Sequence, residues 1–63
     1  MYRIWTKMYV GGVYAGSSVS AKEYVRIGNA VRVAREKYSE PKNGISWEWV
    51  VASKNPWWYM EEI

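Results

Sequence analysis

The stretch Ser20-Ala21-Lys22-Glu23-Tyr24-Val25-Arg26-Ile27-Gly28-Asn29-Ala30-Val31-Arg32-Val33-Ala34-Arg35-Glu36-Lys37-Tyr38 decides how this chain is read. Tyr24, Ile27, Val31, Ala34 and Tyr38 recur at spacings of three and four, which puts them on one face of a helix. Ser20-Ala21-Lys22-Glu23 matches a capping box, in which serine and glutamate each satisfy a free backbone N–H of the first turn. Val19 and Tyr24 stand where a hydrophobic staple expects apolar residues. The pattern predicts a helix over 20–38, closed by Glu40-Pro41 because a residue before proline avoids the α region. Gly28 falls near the apolar stripe, where glycine costs about 1 kcal/mol against alanine. A bulky Trp beneath the helix would explain it. The far face carries Lys22, Arg26, Asn29, Arg32, Glu36 and Lys37 and reads as a solvated surface.

Upstream, residues 2–19 read as a β-hairpin. Gly11-Gly12 reaches the positive φ angles of a primed two-residue turn. With that turn fixed, Val10 opposes Val13, Met8 opposes Ala15, Thr6 opposes Ser17 and Ile4 opposes Val19. This set is expected to face the helix. The other face carries Tyr9 opposite Tyr14, Lys7 opposite Gly16, Trp5 opposite Ser18 and Arg3 opposite Ser20. Downstream, Lys42-Asn43-Gly44 is a turn, and residues 45–62 read as a second hairpin around Ser53-Lys54-Asn55-Pro56. Its helix-facing side would hold Trp47, Trp49, Val51, Trp58 and Met60. Its open side would hold Glu48, Val50, Trp57, Tyr59 and Glu61.

The expectation is therefore an α+β fold: one domain over 1–63, with the element order β-β-α-β-β. Its four-stranded sheet would run in the order 2-1-4-3, with hairpins 2–19 and 45–62 and the helix 20–38 across one face. In topology this resembles the small immunoglobulin-binding domains of bacterial surface proteins. No motif accompanies the likeness, so no function is carried from it.

At 63 residues the core is small, and such domains seldom exceed roughly 3–5 kcal/mol without staples. Cysteine and histidine are absent, which excludes disulfides and the common zinc frameworks. Five Trp and six Tyr supply the apolar bulk, with no Phe. Their polar tips suit half-buried or interfacial positions. The net charge of +3 permits an anionic partner without requiring one. No apolar run reaches the ~20 residues of a membrane span, and no secretory signal pattern is evident. A cytoplasmic location fits the lack of cysteine.

No catalytic set is present. Without His, Cys or Asp, the acids are six Glu. The one suggestive pair is Glu48 with Glu61, opposite each other if the second hairpin forms. They would share a proton or a divalent ion, or simply form a rim pair eased by Arg3 or Lys7. Gly16-Ser17-Ser18 precedes the helix but lacks the Walker spacing. The chain is thus read as non-enzymatic, with no cofactor and no metal.

The open sheet face is the informative surface. It is expected to gather Trp5, Tyr9, Tyr14, Trp57 and Tyr59 with Arg3 and Lys7 among them. Trp, Tyr and Arg dominate interaction hot spots, and contiguous exposed aromatics mark docking sites. The structural alternative is that Trp5 lies over Gly16 and Ser18, while Tyr9 and Tyr14 brace the hairpin. Two functions follow. One is a protein-binding module: an inhibitor, adaptor or accessory protein of phage or mobile-element type, or a subunit that forms a homodimer. For it, the small-residue edge 15–19 also offers a place to add a strand. The other is a single-stranded nucleic-acid binder that stacks bases on the same aromatics while Arg3, Lys7 and Lys54 meet phosphates. Glu48, Glu61 and Glu62 would lie near the patch and repel phosphates, which favours a protein partner.

Overall fold

The computed structural model describes residues 1–58. Its elements are β1 (Arg3–Val10), β2 (Val13–Val19), α1 (Ile27–Tyr38) and β3 (Ile45–Ala52). Among the described residues the sheet is three-stranded and antiparallel throughout, in the order β2-β1-β3. One helix covers one side. The α+β class and the first hairpin agree with the sequence reading; the four-stranded order 2-1-4-3 does not. The place beside β1 assigned to a fourth strand belongs to β3, which pairs with β1 over its full length, from Arg3 opposite Ala52 to Val10 opposite Ile45. Trp57 and Trp58 are helical instead of extended. The rest of the expected fourth strand lies outside the described residues. The expected Glu48–Glu61 pair falls partly outside the described residues. Glu48 stands opposite Lys7, and Glu61 lies outside the described residues.

Gly11 and Gly12 turn the first hairpin at φ +59° and +82°, as their lack of a Cβ permits. Val10–Val13 and Tyr9–Tyr14 pair as expected. Beyond them the register slips by one residue between Met8 and Tyr9, around Ala15, with Gly16 at φ +143°. A β-bulge inserts one residue on one strand only, so it reverses which side chains share a face. Trp5 therefore faces Val19, and Lys7 faces Ser17, whereas Gly16 and Ser18 oppose Met8 and Thr6 on the helix side. The expected gaps beside Trp5 are filled by valine.

The helix begins seven residues later than the capping box predicts. Its N-cap is Arg26, with no side-chain cap bond. Residues 20–26 run beside the start of β1 instead. Ser20 Oγ accepts from the Ile4 N–H at 3.0 Å and donates to the Lys22 carbonyl at 2.9 Å. Tyr2 and Tyr24 exchange two backbone hydrogen bonds of 2.7 Å. Glu23, the intended second half of the box, pairs with Arg3 at 3.0 Å. Long-range pairing of otherwise unmet strand groups outweighs a local cap worth about 1 kcal/mol. Ser20→Ala is accordingly expected to lower stability by about 1–2 kcal/mol, since it strands a part-buried N–H. A urea titration followed by circular dichroism reads it, and an unchanged midpoint would refute the role.

The late start also turns the helix. Its buried residues are Ala30 and Ala34, which with Ile4 form the core; Tyr24, Val33, Tyr38, Trp49 and Val51 pack around them. Ile27, expected on this face, is 49% exposed. Gly28 is exposed, and a Cβ placed there would meet nothing within 4 Å, so the expected close approach to a Trp does not occur. Small residues at positions 30 and 34 are what let the helix sit close to Ile4. On β3 the expected faces hold: Trp49 and Val51 join the core, and the Trp47 and Tyr38 rings lie 5.7 Å apart. Among the described residues, no helix is long and apolar enough to cross a membrane.

Candidate functional site: the open sheet face

Strand alternation lines Arg3, Trp5, Lys7 and Tyr9 along the side of β1 away from the helix, over roughly 20 Å at ~3.3 Å per residue. Each meets different neighbours. The Arg3 guanidinium turns to Glu23, and both side chains remain more than two-fifths exposed. Such a pair adds little to stability but holds the end of the face at mixed charge. Trp5 is only 5% exposed. It lies between its cross-strand partners Val19 and Val50, and its Nε1–H reaches the Ala52 carbonyl at 3.4 Å. Trp5 is thus a second, smaller core on the open side, and it presents almost no area to a partner.

Lys7 lies between Ser17 and Glu48. Its ammonium sits 4.9 Å from the centre of the Trp58 ring, within cation–π range. Tyr9 and Tyr14 make an edge-to-face pair with centroids 6.0 Å apart, the arrangement that aromatic quadrupoles favour. Tyr14 remains 41% exposed and Trp57 71%. Tyr59 lies outside the described residues.

Of the seven predicted contact residues, the fold therefore brings Arg3, Trp5, Lys7, Tyr9 and Tyr14 onto one hairpin. It sets Trp57 at the edge of the same face. Trp58 was assigned to the helix side by strand parity and is found on the open side. A sequence signal for this exists in Pro56: proline is favoured in a first helical turn, and a helical Trp57-Trp58 does not follow strand alternation. Lys7, Glu48, Trp49, Val50, Trp57 and Trp58 line a cleft of about 210 Å³. One wall is aromatic and the other holds a cation and an anion. That lining suits an inserted side chain: the Trp rings offer apolar area, and Lys7 and Glu48 offer a donor and an acceptor. At the hairpin tip, Val10 and Val13 are exposed on the opposite face of the sheet. No family model, curated protein or solved structure matches this chain.

Proposed function

We propose that this chain is a small non-enzymatic protein-binding module, an adaptor, inhibitor or accessory protein, that docks through the open sheet face. The observation carrying this reading is Trp57: a large aromatic left 71% exposed at the mouth of an aromatic cleft with both charge signs in its wall. An exposed Trp gains much from a partner, because its area is still to be buried and its ring loses little conformational freedom on docking. Tyr14 extends the same contact surface, along which Arg3, Lys7 and Tyr9 are aligned. Trp5 supports the surface from beneath and does not touch the partner.

Base stacking is less well supported. It would need several open rings, and Trp5 is covered. Glu48 beside Lys7 also cancels the positive potential that would hold phosphates over the face.

The test is quantitative affinity capture with wild type and a Trp57→Ala, Tyr14→Ala double variant. The variant is expected to keep its fold and to lose at least about tenfold in affinity for the partner that wild type retains, a change of about 1.4 kcal/mol. A folded variant with an unchanged partner set removes the face from consideration. Sedimentation over a concentration series separates self-association from binding of a different protein.

A further inference from the structure

The opposite side of the molecule carries a different signal. Residues 20–42 hold six of the nine Lys and Arg but three of the six Glu, so the whole net charge of +3 resides there and the remaining residues balance to zero. Glu23 is tied to Arg3. Arg26, Arg32, Arg35, Lys37 and Lys42 are all exposed, and among the described residues none of them makes an ion pair. Arg32 and Arg35 lie on the outward side of the helix, whereas Lys37, five residues after Arg32, sits about 140° further round the axis. Gly28, Arg32 and Arg35 follow at spacings of four and three and so share one stripe, and Ala30 and Ala34 are buried on another. Gly28 has no packing role inside the domain and leaves the backbone of this stripe bare.

We propose that this outward face of α1 docks on the phosphate backbone of duplex nucleic acid, independently of base sequence and of the sheet face. The exposed guanidinium groups of Arg32 and Arg35 suit phosphate oxygens, which accept from two N–H groups at once. A bare stretch at Gly28 lets the polyanion come close. Glu36 lies within this face and opposes the contact, which limits its strength.

The experiment is an anisotropy titration of a labelled 20-base-pair DNA between 20 and 200 mM salt. With about three phosphates neutralised, log affinity should fall with a slope of about −2.7 against log salt, roughly 40-fold between 50 and 200 mM. Arg32→Gln with Arg35→Gln should reduce the slope by about 2 and the affinity at 50 mM at least tenfold. Glu36→Gln should strengthen binding, a gain that loss of structure could not produce. Should the double variant misfold by circular dichroism, Arg32→Gln alone replaces it, with the slope reduced by about 1. The Trp57→Ala, Tyr14→Ala variant should bind DNA as wild type does.

Four results would overturn the proposal: no binding at 20 mM salt, wild-type affinity in the arginine variant, loss of DNA binding in the aromatic variant, or displacement of DNA by polyglutamate at equal charge. The last would assign the face to acidic protein. Failure here leaves the sheet-face reading untouched, because that reading is tested with a different variant and a protein partner.

Discussion

Trp5→Ala is expected to leave the chain without a cooperative folded state at 25 °C. Trp5 is 5% exposed, and its ring is enclosed on the side of the sheet that the helix does not reach. Truncating a buried Trp removes its transfer free energy and opens a cavity, together about 3–5 kcal/mol. A domain of this size holds roughly the same amount in total. The substitution also leaves the Ala52 carbonyl without the indole N–H. Thermal melting followed by circular dichroism should show a sloping trace with no transition, and urea should produce no sigmoidal midpoint. Trp57→Ala is the control. Its ring is exposed, so stability should change by no more than about 0.5 kcal/mol. A Trp5→Ala protein that melts within a few degrees of wild type would mean that the open side has no core of its own. The aromatic face would then return to being a broad docking surface with Trp5 as an anchor.

Ala34→Leu should destabilise by about 1–3 kcal/mol, a fall in Tm of roughly 4–24 °C for a chain this short. Ala34 and Ala30 are both 0% exposed and pack with Ile4 where the helix meets the sheet. Leucine is nearly as good a helix former as alanine, so any loss must come from packing. Because Ala34 is fully buried, the three added carbons push α1 off β1 and β3 or force strained rotamers. Equilibrium urea unfolding measures the change. A neutral or stabilising result would show that the contact has room to spare and that residue size at position 34 does not set how closely the helix sits.

These two predictions bear on different parts of the sequence reading. The alternation in β1 was readable in advance. Ile4 and Thr6 go to the helix side and Trp5 and Lys7 go to the other, because the side-chain period of a strand is a property of the backbone. Which side Trp5 occupies was correct. That it is buried there was not foreseen, because burial depends on what segments distant in the chain place around it. The bulge at Ala15 reverses the face of residues 16–19 and brings Val19 against Trp5. Nothing in Ala15-Gly16-Ser17-Ser18 distinguishes a bulged strand from a regular one, although a glycine inside a strand is a place where one can form.

The helix teaches the same lesson from the other direction. Ser20-Ala21-Lys22-Glu23 is a sound local start signal, yet each of its groups is taken by something distant in sequence. Ser20 is held by Ile4, Glu23 by Arg3 and the Tyr24 backbone by Tyr2. A cap contributes about 1 kcal/mol; leaving the first strand's N–H groups unmet would cost more.

By itself, the sequence determined what the local period and the turn residues encode. These are the Gly11-Gly12 hairpin, a helix ending at Tyr38, a strand from Ile45 to Ala52, the α+β class, and a positive charge concentrated in residues 20–42. Tertiary structure alone decided that β3 lies beside β1, that the helix waits until Ile27, and that Trp5 is core while Trp57 stands in water. The physical reason is common to all three. Each is a choice of partner between segments far apart in the chain, settled by which backbone groups and apolar surfaces remain unmet once the local elements have formed, and no local pattern records that competition.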